Sequence, residues 1–277
     1  MIDDFSIGDK FDGKKMSRPF PKWEKYLIIG IILVIVFIIS IVIIIVLATG
    51  SQSNGDNDKK SESEEVKDKI GEIYCIYEIN SINNPVSLLG NEYNKNSDFD
   101  IYINGELIKF SKEYIFKETG KYNIKYSLYN DLSMDYMFKD VSSLKSVDMI
   151  SEKNAEIKSM ISTFENCENL NKFSLSGFIT KNINSLHKLF YKTPLKEINF
   201  QNFDTSNVKD FSYIFSLTNI ISFNFTQITT SQSLNMSHMF EGCSLLIDID
   251  ISNNDLNQLI DMSYMFYSCQ SLTYLNF

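Results

Sequence analysis

Phenylalanine recurs at Phe138, Phe164, Phe190, Phe215, Phe240 and Phe266, at intervals of 25 or 26 residues, with similar residues around each one. A period this short constrains the fold more than any other feature of the chain. A unit of that length cannot bury its own apolar face, so successive units have to stack, each covering the next.

The positions around each Phe suggest how. Five residues ahead stand Ser133, Ser159, Ser185, Asp210, Asn235 and Asp261, residue types that accept hydrogen bonds from the free N–H groups of a helix start. Met134, Met160, Leu186, Phe211, Met236 and Met262 follow, and three residues after each Phe come Val141, Cys167, Thr193, Thr218, Cys243 and Cys269. The spacing i, i+3, i+4, i+7 predicts one apolar face of a short helix. After Leu144, Leu170, Leu195, Ile220, Leu246 and Leu272, apolar residues alternate, from Val147 and Met149 in the first unit to Leu275 and Phe277 in the last. Period two predicts a strand with one buried face. The expectation over 131–277 is an α/β repeat solenoid of six units, like a leucine-rich repeat, with one short helix and one strand per unit and a parallel sheet.

Units such as DMSYMFYSCQSLTYLNF and FDTSNVKDFSYIF resemble the BspA-type leucine-rich repeat of bacterial and protist surface proteins, which carry Met-Phe, then Cys, then Leu in each unit. The resemblance covers about residues 131–277 and implies a cell-surface or secreted protein that binds or adheres. Thr193 and Thr218 depart from it where Cys is usual, in two units one residue shorter between Phe and Leu.

The repeats are preceded by four segments. Residues 1–25 read as a cytosolic tail, and 26–48 as a transmembrane signal-anchor helix. The uncharged run Leu27 to Leu47 is long enough to span roughly 30 Å of hydrocarbon. Lys14, Lys15, Arg18, Lys22 and Lys25 precede it, so its N-terminal side faces the cytosol. Residues 49–71, rich in Ser, Asp and Glu, predict a flexible acidic stalk. Residues 72–130 predict a small β-rich module with runs at 73–79, 86–89, 99–110 and 114–128. Asn104-Gly105 and Thr119-Gly120 stand as hairpin signals. The module is expected to pack on the first repeat and cover its apolar end.

No chemistry of catalysis is visible. The four cysteines have no zinc spacing, and Cys167, Cys243 and Cys269 read as small buried side chains. The two histidines, His187 and His238, sit in non-adjacent units at different offsets. There is no phosphate loop or Gly-rich fingerprint. A formal net charge of −9 argues against nucleic acid. We therefore expect no catalytic, cofactor or metal residues and no enzyme activity. Between the buried strand residues of each unit lies an outward position: Asp148, Ser174, Asn199, Asn224, Asp250 and Asn276. These are expected to form an exposed ladder suited to a protein or glycan ligand. Asn224 and Asn235 head glycosylation sequons. The functional expectation is a single-pass plasma-membrane protein with its C-terminus outside, displaying the solenoid for adhesion or binding. The alternatives are a signalling receptor that acts through a partner, and a coat or scaffold protein that self-associates through its open last repeat.

Overall fold

The computed structural model describes residues 68–95 and 99–277, which belong to one compact unit, Glu65–Phe277. The tail, the 26–48 span and the stalk up to residue 67 lie outside the described residues. Among those described, no helix is long and apolar enough to cross a membrane.

The module contributes strands β1 (Gly71–Ile79), β2 (Pro85–Ser87), β3 (Phe99–Ile103), β4 (Glu106–Ile108), β5 (Glu113–Ile115) and β6 (Gly120–Leu128). β3 and β4 form the hairpin at Asn104-Gly105, both residues having positive φ, 49° and 92°, as the tight turn between them requires. Thr119-Gly120 does not close a hairpin. β5 pairs instead with β2, and β6 pairs with β1 and β3.

The repeats contribute β7 (Leu132–Ser133), β8 (Leu144–Ile150), β9 (Ile157–Ser159), β10 (Lys172–Ser176), β11 (Ser222–Asn224), β12 (Asp248–Asp250) and β13 (Tyr274–Asn276). They form a β-solenoid of about six coils. The leucine-rich α/β unit expected from the sequence is not what forms: among the described residues the only helical element is a single 3-10 turn, Phe225–Gln227. Two consecutive tight turns replace each expected helix. In the first coil Met137 N–H bonds Met134 C=O and Val141 N–H bonds Phe138 C=O, with Tyr136 and Asp140 at positive φ, 61° and 62°. A positive φ at the third residue of a turn is the type II arrangement. The two positions recur in every coil, through Tyr264 and Ser268 in the last. The N–H groups that a helix would turn inward run instead to the next coil: Tyr136 to Ile161 C=O, Phe138 to Thr163 C=O, Asp140 to Glu165 C=O. Two four-residue turns place Met134, Met137, Phe138 and Val141 inward, all fully buried. Over eight residues that pattern matches the spacing of a helix.

The residues taken for helix caps do a related task. Asp210, Asn235 and Asp261 each accept the N–H two residues on, at 2.8–2.9 Å, which opens the turn pair. The repeated Phe rings stack down the core with centroids 5.4–6.2 Å apart. The Cys position is a donor slot: the thiols of Cys167, Cys243 and Cys269 reach the carbonyl oxygens of Phe138, Phe215 and Phe240 in the preceding coil at 2.9–3.1 Å. Thr193 and Thr218 donate to the Phe carbonyl of their own coil. The first coil has no preceding Phe carbonyl, and Val141 stands there.

The module joins the solenoid through its backbone. β1 lies between β6 and β8, antiparallel to both, giving a six-stranded sheet in the order β10-β8-β1-β6-β3-β4. Gly90 donates to Met137 C=O at 2.8 Å so closely that a Cβ on it would lie 2.2 Å from Tyr136 O. Beneath the sheet, the buried hydroxyls of Tyr77 and Tyr126 both reach Leu88 C=O, at 2.7 and 2.8 Å.

The parallel sheet is broken. β8 pairs β10, and β11, β12 and β13 pair in sequence, but the third coil forms no strand between β10 and β11. Pro194, which has no N–H, precedes Leu195 in one of the two shortened units. Side chains cross the break instead: Asn202 donates to Leu175 C=O, and Gln227 accepts from Phe200 N–H.

Candidate binding surface on the sheet face

The six outward positions do not make one unbroken ladder. Asp148 is in register with Ser174, whose hydroxyl donates to its carboxylate, and Asn224, Asp250 and Asn276 are in register across β11, β12 and β13. Asn199 lies at the break, outside both groups. Three of these side chains also accept from residues two further on, Asn224 and Asp250 at the ends of β11 and β12 and Asn199 where no strand forms. Asn199 accepts from Gln201 N–H, Asn224 from Thr226 N–H and hydroxyl, and Asp250 from Ser252 N–H and hydroxyl. The Ser252 hydroxyl, its N–H and the Asn276 amide hold the Asp250 carboxyl below its ordinary pKa. At the sequons, the Asn224 side-chain oxygen is engaged by Thr226, and that of Asn235 by the N–H and hydroxyl of Ser237.

The sheet extends the ladder in the other direction. Tyr74 of β1 stands across from Asp148 on one side and Lys125 of β6 on the other, and Ile76 stands opposite Ser146 and Asn123. Tyr74 and Ile76 are 42% and 38% exposed. With Asn123, Lys125, Ser146, Asp148 and Lys172 they line a trough of about 460 Å³, predominantly apolar, that crosses β6, β1, β8 and β10. That volume is within the range of small-ligand sites. Lys125 Nζ lies 4.3 Å over the Tyr102 ring and 3.3 Å from Glu72, whose carboxylate also accepts the Tyr74 hydroxyl at 2.5 Å. That bond pushes the Tyr74 pKa up to about 12. Tyr74, Ile76, Tyr102 and Lys125 were not foreseen as site residues. The alternation within Ile73–Ile79 marks two of them as outward, but their place beside Asp148 depends on β1 pairing with β8, which local pattern does not encode.

One cluster resembles catalytic machinery and differs from it in order. His187 Nδ1 lies 2.7 Å from Ser212 Oγ, and that hydroxyl donates to Asp210. In a nucleophilic triad the imidazole stands between the hydroxyl and the acid. Here the serine is in the middle, buried, and committed to the carboxylate. Burial, reinforced by Lys188, holds the His187 pKa below the ordinary value. Among the described residues no group of histidine, cysteine and carboxylate side chains is placed to hold a metal ion.

A family model described as "Mycoplasma protein of unknown function, DUF285" matches residues 110–191 and again 158–275. No curated protein and no solved structure matches. The two matches overlap, as a repeat model sliding along repeated coils should, and the first begins inside the module. Together they cover more than half of the chain, which therefore belongs to the DUF285 family.

Proposed function

We propose that this protein is a membrane-anchored binding protein that displays its solenoid outside the cell, and that the outward sheet face is its ligand surface. The observation that carries the reading is the trough at Tyr74 and Ile76, in register with Asp148 of the ladder. An apolar floor bordered by Lys125, Lys172, Asp148 and Asn123 combines desolvation with directional polar contacts, as recognition surfaces do. The uncharged run Leu27 to Leu47, with its basic flank on the N-terminal side, supports an anchor that leaves the repeats outside. The finer kinship, to BspA-type surface repeats, belongs to the same proposal. It rests on the Met-Phe, Cys and Leu positions and predicts adhesion to protein or glycan.

Two measurements test it. A C-terminally tagged chain should stain on intact cells, and staining only after permeabilisation would overturn the outward topology. The full chain should bind members of a matrix-protein and glycan array, and the double substitution Tyr74→Ser, Ile76→Ser should abolish that binding while leaving the circular dichroism spectrum unchanged. Binding indifferent to the double substitution would remove the trough from the account.

A further inference from the structure

The break in the parallel sheet opens a second site. On the strand side, no backbone hydrogen bond joins residues 197–199 to a neighbouring coil among the described residues. Coils two and three meet there through the Asn202 bond to Leu175 C=O. On the turn side the same two coils are tied by Ser162 to His187, Phe164 to Leu189 and Asn166 to Tyr191. The coils are closed at one edge and open at the other.

The opening is a cavity of about 420 Å³ lined by Asn171, Lys172 and Phe173 from the second coil, Glu197, Ile198 and Asn199 from the third, and Gln227 from the fourth. Phe173 and Ile198, partly buried against the core, give it an apolar floor. Lys172 and Glu197 hold equivalent places, each just before the first inward strand residue of its coil. Regular ladder spacing would set them about 4.8 Å apart, close enough to pair. Neither takes part in an ion pair among the described residues. The slot therefore offers one cation, one anion and three carboxamides over an apolar base. The carbonyl oxygens of Asn199 and Gln227 already accept from Gln201 and Phe200, so these two present their N–H donors, and Asn171 presents both donor and acceptor.

That set matches the chemistry of a short peptide. We propose that the gap between the second and third coils is a recognition slot for a short zwitterionic peptide, its carboxylate on Lys172, its ammonium on Glu197 and its backbone amides on the carboxamides of Asn171, Asn199 and Gln227. Opposite charges at the two lips orient the ligand across the gap, and its amides substitute for the ladder bonds that the third coil lacks. The proposal deepens the reading of the solenoid as a binding surface and rests on it.

The test uses the full chain, 15N-labelled, titrated with trialanine, with acetyl-trialanine-amide and with cellotriose. Trialanine should shift the backbone amides of Lys172, Phe173, Glu197 and Asn199. Lys172→Ala and Glu197→Ala should each weaken it by about fivefold, the scale of one exposed ion pair. The peptide capped at both ends loses both charged contacts and should bind more weakly by the product of the two factors, roughly 25-fold. No shift at 10 mM trialanine, or shifts unchanged in both variants, would overturn the slot, and cellotriose acting there while trialanine does not would overturn the ligand class. The Tyr74→Ser, Ile76→Ser chain should retain the trialanine shifts, so failure of the trough and failure of the slot are read separately.

Discussion

Substitution of Gly242 by alanine separates a helix from a pair of turns by the sign of its effect. In a helix, alanine in place of glycine adds about 1 kcal/mol of stability. In the fold described here Gly242 has φ of +70° and holds the second left-handed position of its coil, where Asp140, Asn166, Lys192, Leu217 and Ser268 stand in the others. An L-residue in that region costs about 1–2 kcal/mol, partly offset by the lower entropy of the unfolded alanine chain. A Cβ on Gly242 would also lie 2.4 Å from Leu217 Cδ2, a side-chain end that can rotate away at a further cost. Gly242→Ala should therefore lose about 1–2 kcal/mol, a fall in Tm of roughly 2–8 °C for a unit of this size. The assay is urea and thermal unfolding of the full chain followed by far-UV circular dichroism. In a Leu217→Ala background the contact share should vanish and the backbone share persist. The converse substitution, Ser268→Gly, removes a left-handed serine and should raise stability by a few tenths of a kcal/mol to about 1 kcal/mol. A stabilised Gly242→Ala together with a destabilised Ser268→Gly would refute the double-turn coil and restore the helix.

Phe190→Ala removes a fully buried ring stacked between Phe164 and Phe215 and met edge-on by Phe173. It should cost about 4–5 kcal/mol in the same unfolding assay, and a loss below about 1 kcal/mol would contradict a continuous ring column. Cys167→Val leaves Phe138 C=O with only the Val141 N–H and should cost about 0.5–1.5 kcal/mol. Cys243→Thr should be nearly neutral, because Thr218 already fills that position in the preceding coil, and equal costs for the two would argue against a donor slot. Tyr126→Phe should cost about 1 kcal/mol, since Tyr77 still serves Leu88 C=O. The double substitution with Tyr77→Phe should exceed the sum of the singles by orphaning that carbonyl, whereas strict additivity would show that the two hydroxyls do not share it. Because burial lowers the folded pKa of His187 from 6.5, the unfolded chain takes up the proton first. The stability present above that pH should then be lost as pH falls through the folded value. The drop in Tm between pH 7.5 and 5 should shrink in His187→Gln, and an unaltered drop would assign the pH dependence elsewhere.

What the sequence carries and what it leaves out divide along physical lines. The 25- to 26-residue period reports burial, and burial depends on which side chains face inward, so the stacking and the inward positions from Met134 to Ile251 could be read directly, whereas Met262, Leu275 and Phe277 of the last coil are exposed. Backbone path is not determined by burial. Met134, Met137, Phe138 and Val141 turn inward whether their backbone is about two helix turns or two successive type II turns. The signal that separates them lies at the two left-handed positions of each coil, where Asp140, Asn166, His238 and Gly242 are types that favour positive φ but Tyr136, Ser162, Lys188, Lys192, Tyr213, Leu217, Tyr264 and Ser268 are not, so the preference is diluted across the repeats. The left-handed residues are tolerated because their N–H groups find carbonyls in the next coil. That compensation is a tertiary one, invisible within a single repeat.

The same division governs the site. The outward ladder follows from period two and was legible residue by residue, while its break at the third coil was visible only as a shortened unit and Pro194. The other shortened unit, the fourth, keeps β11 paired with β12, whereas the third coil's segment begins at a proline and its Phe200 N–H is taken by Gln227. The trough at Tyr74 needed still more, a pairing between β1 and β8 of residues some seventy positions apart. Both candidate sites therefore lie where the repeat rule stops applying, one at its junction with the module and one at its internal fault. A regular parallel sheet satisfies its own backbone and presents a nearly flat face, so concavity and unpaired polar groups arise only where that regularity fails.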